Sequence, residues 1–240
     1  MIYSDTTNRT GIVQLLEDYT STQSATSSSY PLATKTRDIN LAFADFNMIA
    51  MAASGTWQAD DSNHTKYPNM KFDLVSGQQD YSFTEDEQGN QVLDIYRVEV
   101  KDPAGNWVLL TPYDENQEKT ALGAQETITG TPRRYYKTAN GIFLDSTPNY
   151  SSTQGIRMWF GRTPDYFLST DTTKEPGIPQ MFHRYLALKP AYWYWLPKDN
   201  ARASIYFNDM TKMEESITLY YNKRKKDEKT RVVPRYSNYA

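Results

Sequence analysis

The sequence predicts an α+β protein: helices at the two ends form a bundle, and an antiparallel β-region, a sandwich or small barrel, is inserted between them, with an extended C-terminal tail. Three observations predict it. Apolar residues recur at three- and four-residue steps between Ile12 and Ala53 and again between Ala203 and Tyr221, which is the spacing of one helix face. Between Trp57 and Phe167 the period drops to two, and Pro/Gly and Asn-Gly turns punctuate it as they do in hairpin-linked strands. The chain of 240 residues has no cysteine, so no disulfide framework supports it. At this length a hydrophobic core suffices, since folding buries roughly 70–75% of the unfolded surface.

At the N-terminus, Asp5, Thr6, Thr7 and Asn8 offer capping oxygens, and Ile12, Leu15, Leu16 and Tyr19 follow at helical spacing. A helix over about residues 8–20 is expected. TSTQSATSSSYP, residues 20–31, then reads as a polar linker with nothing to bury. From Thr34 the stripe returns in Ile39, Ala42, Phe43, Phe46, Ile49, Ala50 and Ala53, and Gly55 ends it.

Tyr81 and Phe83, then Tyr96, Val98 and Val100, alternate with polar residues as strands do. KDPAGN turns the chain into Trp107 to Leu110, Asn140-Gly141 joins RRYYK to IFL as a tight hairpin, and GIRMWFGR, residues 155–162, is a further strand. Ile178-Pro179 places proline at the first position of a helix, where its missing N–H costs nothing, and turns Phe182, Tyr185, Leu186 and Leu188 toward a core. Pro190 predicts a kink or a split in that helix. Tyr192, Trp193, Tyr194 and Trp195 are consecutive, so they cannot share one face.

A long helix from about Asn200 to Lys226 follows, striped by Ala203, Tyr206, Phe207, Met210, Met213, Ile217, Tyr220 and Tyr221. The expected division is 1–56 for the N-terminal helices, 57–175 for the β-region, 176–226 for the C-terminal helices and 227–240 for an extended tail. The expected bundle core is Ile39, Phe43, Phe46, Phe182, Leu186, Phe207, Met210 and Ile217.

Composition excludes several chemistries. Without cysteine there is no thiolate metal site and no Cys nucleophile. No stretch approaches the roughly 18–20 apolar residues of a membrane span, and the first residues lack the order of a secretory signal. A soluble chain made in a cytoplasm, with no membrane partner, is expected, so the Asn63 and Asn149 triplets carry no glycosylation meaning. Phosphate-binding glycine loops, the nucleophile elbow and the zinc H-E-x-x-H motif are absent.

Of the two histidines, His64 sits in a polar loop sequence. His183 has no second His, no Cys and no metal-spaced carboxylate near it in sequence, so it reads as a structural residue hydrogen-bonded at a helix–sheet junction. Acids such as Asp60, Asp61, Glu85, Asp86, Glu87, Glu214 and Glu215 fall in turns and on exposed faces. No catalytic, cofactor-binding or metal-ligating residue is expected, and no cofactor.

Charge is segregated. The chain carries −3, yet from Lys223 onward seven bases stand against two acids, which leaves an acidic body and a basic tail. Such a body does not grip nucleic acid, and such a tail meets a partner. The tail is not purely polar. Lys223, Arg224, Lys225, Lys226, Lys229, Arg231 and Arg235 alternate with Val232, Val233, Pro234, Tyr236 and Tyr239, and Pro234 holds Val233 extended, so TRVVPRY suits a strand laid along another protein's edge. Tyrosine, at 19 residues, suits sheet faces, sugar platforms and subunit interfaces.

YSF (81–83), GTPRRYY (130–136), NGIFLD (140–145) and EPGIPQMFHRYL (175–186) stand in that order between two N-terminal helices and a long last helix. This layout resembles, over most of the chain, the head-to-tail adaptor (connector) proteins of tailed bacteriophages. Pro190 and the long linker at 20–31 depart from it.

The resemblance implies a non-enzymatic virion protein at the head–tail interface. It would assemble with itself into a ring, a dodecamer, beneath the portal protein and join it to a downstream tail or nozzle protein. Genomic DNA would pass through the lumen without sequence-specific binding, and the C-terminal tail would dock on the portal. The alternatives are a carbohydrate- or receptor-binding β module and, from the enzyme class, a glycoside hydrolase.

Overall fold

A computed structural model describes residues 1–22, 29–54, 69–82, 84–85, 89–113, 128–138 and 141–224. Among them four helices, α1 (Ile12–Thr20), α2 (Leu32–Ser54), α3 (Tyr185–Trp195) and α4 (Asn200–Arg224), flank a β-rich middle. Its strands are β1 (Asn69–Leu74), β2 (Asp80–Ser82), β3 (Val92–Lys101), β4 (Trp107–Leu109), β5 (Thr111–Pro112), β6 (Arg134–Thr138), β7 (Gly141–Leu144) and β8 (Ser152–Arg162). The architecture is α+β. Gly55, Trp57, His64, Phe83 and Asn140 lie outside the described residues.

The strands make two four-stranded sheets, ordered β1-β8-β3-β4 and β2-β7-β6-β5. Neighbours are antiparallel except β5 and β6, which run parallel. The chain passes from one sheet to the other at Leu110, a buried residue between β4 and β5.

Alternation directs Val98 and Val100 of β3, Ile156, Met158 and Phe160 of β8, Tyr81 of β2, Tyr135 of β6, and Ile142 and Leu144 of β7 into one shared apolar core. Gly141 is required there by close approach: a Cβ at that position would stand 2.4 Å from the Tyr81 carbonyl oxygen.

The four helices share a second core. Ile12, Val13 and Leu16 from α1, Ile39, Phe43, Phe46 and Ala50 from α2, Phe182, Tyr185 and Leu186 around the start of α3, and Met210, Ile217 and Tyr221 from α4 are all buried in it. Phe46 is its aromatic centre, with the rings of Phe182, Tyr185 and Tyr221 each 6.0 Å away. The chain leaving β8 is stitched to α2: Asn47 Nδ2 donates to the Arg162 carbonyl at 3.2 Å. Asn40 donates to the Phe167 carbonyl at 2.8 Å and accepts from the Phe167 amide at 2.9 Å.

Several expectations need correction. Helix α1 starts at Ile12, behind Gly11, because the Asp5 carboxylate is spent on a turn ahead of it, accepting from the amides of Thr7 (3.1 Å) and Asn8 (3.0 Å) and from the Thr10 hydroxyl (2.6 Å). The ends of the polar linker are buried, not bare. Thr22 and Tyr30 are 6% and 4% exposed, and fully buried Lys35 donates to Glu17 Oε1 at 3.0 Å and to the Thr22 carbonyl at 3.2 Å. The stretch is anchored at one end by hydrogen bonds to Lys35 and at the other by Tyr30, which packs in the helical core with its ring 4.9 Å from that of Tyr194.

Pro179 is not helical. Its ψ of 135° is extended, a 3₁₀ turn at Gln180–Phe182 follows, and α3 begins only at Tyr185. That helix then runs through buried Pro190 to Trp195, so of the two expected outcomes the split does not occur. Proline removes one N–H, the one that would reach the Leu186 carbonyl, and packing on both sides holds the rest.

Phe207, expected in the bundle core, is 45% exposed. The buried line of α4 is Ala203, Met210, Ile217 and Tyr221. Phe207 lies about 60° round the helix from Met210, with the Tyr192 ring 5.5 Å away.

Candidate functional site

His183 is buried, and both ring nitrogens have partners. Nε2 lies 2.9 Å from the Ile178 carbonyl and Nδ1 lies 2.8 Å from the Met1 nitrogen. A carbonyl only accepts, so Nε2 carries the proton and Nδ1 accepts from Met1. Burial holds the imidazolium below its ordinary range, in line with that neutral tautomer. The surroundings are the helical core, not a helix–sheet junction, and no local pattern could point to residue 1, 182 positions away, as the partner. Among the described residues, no group of three or more His, Cys, Asp or Glu side chains is placed to hold a metal ion.

The most concentrated surface chemistry lies on the outer face of the β1-β8-β3-β4 sheet. Register sets Arg157 of β8 beside Glu99 of β3, Trp159 beside Arg97, and Lys101 beside Trp107 of β4. The Arg157 guanidinium lies 4.2 Å from the Trp107 ring centre and 4.8 Å from that of Trp159. Arg97 covers Trp159 at 5.3 Å and Lys101 covers Trp107 at 5.1 Å.

Beneath them Glu99, 4% exposed, accepts from Arg97 Nε at 2.6 Å, from Arg157 Nε at 3.0 Å and from the Arg157 terminal nitrogen. Burial pushes its carboxyl up, but the two arginines outweigh it and hold the group ionised below the usual range. The result is a rigid cationic, aromatic surface. The alternation was visible in RVEVK and RMW, but which strand lay beside which was not, so the charges and rings could not be joined from sequence.

The opposite sheet also turns rings outward: Tyr113 and Tyr136 lie 6.4 Å apart, and Tyr136 and Phe143 4.9 Å. A groove of about 520 Å³ between α2 and residues 166–169 adds the exposed apolar chains of Leu41 and Leu168.

Of the residues expected in the docking tail, Lys223 is exposed on the last turn of α4, and Arg224 ends that helix. Lys225, Lys226, Lys229, Arg231, Val232, Val233, Pro234, Arg235, Tyr236 and Tyr239 lie outside the described residues. Ile39, Phe43, Phe46, Phe182, Leu186, Met210 and Ile217 are all buried in the helical core.

A protein-family model, that of the SU10 adaptor protein, matches residues 14–234. The chain belongs to the SU10 adaptor protein family. Membership points to a phage adaptor: a structural, non-enzymatic role in a virion, among other phage structural proteins. The match to the SU10 adaptor family spans both helical ends and the β-rich middle, so the two cores belong to one family unit. No curated protein matches the sequence. Among the described residues of this adaptor, no helix is long and apolar enough to cross a membrane.

Proposed function

We propose that the chain is a ring-forming neck protein of a tailed phage. Twelve copies encircle the channel below the portal, join it to a downstream tail or nozzle protein, and let genomic DNA pass without reading its sequence. The observation that carries this is the adaptor family match over residues 14–234. Two features support it. The charge division between acidic body and basic tail keeps DNA ungripped while giving the tail a partner. Outward aromatic residues on both sheets suit repeated subunit contacts.

A carbohydrate-binding module presents open ring faces to sugars. Trp107 and Trp159 each carry two cations instead, which favours the adaptor reading.

In this reading the tail, with its bases spaced among Val232, Val233, Pro234, Tyr236 and Tyr239, docks on the portal. Deleting residues 229–240 is expected to leave a folded subunit that no longer attaches to portal-containing heads. Moderate salt weakens the attachment of the intact chain without abolishing it, because screening removes the charge component and leaves the apolar anchors. Attachment is measured by co-sedimentation with purified heads. A truncated chain that still joins heads and tails at full efficiency would show the tail to be a solvated end.

A further inference from the structure

We infer that the two outward sheet faces are the two halves of one contact between copies of this chain: the Arg/Trp face of one subunit seats on the Tyr/Phe face of the next. The inference rests on the ring reading above and specifies its interface. Outward positions of a two-sheet protein are ordinarily polar, because alternation sends the apolar residues inside. Here both outer faces break that rule with the residue types that dominate interface energetics.

On one face stand Trp107, Trp159, Arg97 and Arg157, with Leu109 beside them 51% exposed. On the other stand Tyr113, Tyr136 and Phe143, with exposed Asp80 paired in register to Phe143 and exposed Arg134 on the Tyr136 side of β6. The arginines are already fixed by Glu99, so little side-chain freedom remains to be lost on docking.

Charge selects the occupant. Residues 57–175 hold eighteen acids against eleven bases. Four of those bases, Lys71, Arg97, Lys101 and Arg157, and two acids, buried Glu99 and exposed Asp73, belong to the Arg/Trp face, where Lys71 lies in register with Arg157. The rest of the block keeps sixteen acids against seven bases, with eight of those acids outside the described residues. The cations of this face seat well on the tyrosine and phenylalanine rings of another copy's opposite face, with Asp80 beside them. The two faces belong to opposite sheets of one core, so the contact joins unlike surfaces and repeats head to tail, as a closed ring requires.

The absence of cysteine makes the test specific. Leu109→Cys marks the Arg/Trp face and Thr138→Cys, at an exposed position of β6, marks the other. Full-length protein carrying both is treated with a short bismaleimide and run on a denaturing gel, beside each single variant and with assembly checked by native mass spectrometry. The expected result is a ladder of covalent multimers from the double variant and single-chain bands from each single variant. Rings that assemble without a ladder would overturn the face pairing and leave the ring reading standing, as would dimers from either single variant, which would mean like-to-like contact. An unmodified chain that is monomeric both in solution and in particles would overturn the ring reading, and this inference with it.

Discussion

Phe46 and Phe207 fall on similar apolar stripes in the sequence, yet the fold treats them oppositely, and replacing each by alanine measures the difference. Phe46 is fully buried with three rings at 6.0 Å, while Phe207 is 45% exposed beside one ring. Truncating a buried phenylalanine costs about 3–5 kcal/mol, the transfer loss plus the cavity left behind. Each aromatic pair adds about 0.5–1.5 kcal/mol beyond area, and three pairs sharing one ring do not add fully, so Phe46→Ala belongs at about 4–5 kcal/mol.

Phe207→Ala keeps its core neighbours and is expected to cost about 1 kcal/mol or less. At this chain length about 4–5 kcal/mol corresponds to a Tm lowered by roughly 10–15 °C. Urea unfolding followed by circular dichroism gives both values, with an unchanged slope confirming that the native state is otherwise intact. Equal losses from the two variants, or less than about 2 kcal/mol from Phe46→Ala, would refute the placement of the helical core.

Two further expectations concern buried polar groups. Lys35→Met should cost about 3 kcal/mol by stranding Glu17, with Arg9 at 3.6 Å giving only partial relief, and adding Glu17→Leu should recover most of it. Urea midpoints of the two singles and the double test this, and simple additivity would show that the pair is not a unit. For His183, burial lowers the folded-state pKa, so the unfolded chain binds the extra proton first. Its contribution is therefore complete above about pH 6.5 and falls as the pH drops below that. His183→Gln should flatten the change in urea midpoint between about pH 7.5 and about pH 5.5, whereas an unaltered slope would assign it to other groups.

Much of the fold is legible in local periodicity and composition. The three- and four-residue stripe from Ile39 to Ala53 appears as α2, the alternation at Tyr96, Val98 and Val100 as β3, and the resemblance to phage adaptors agrees with the family match over residues 14–234. These signals are local, because each side chain's face follows from its backbone period alone.

Other features depend on partners remote in sequence and emerge only once the chain is folded. Met1 meets His183, Lys35 crosses to Glu17, and β3 lies between β8 and β4, which alone brings Glu99 beneath Arg157 and the two tryptophans. Phe207 shows the same limit from the other side. Periodicity places it on the apolar half of α4, but only the line along which neighbouring helices touch that half determines which of its residues lose water.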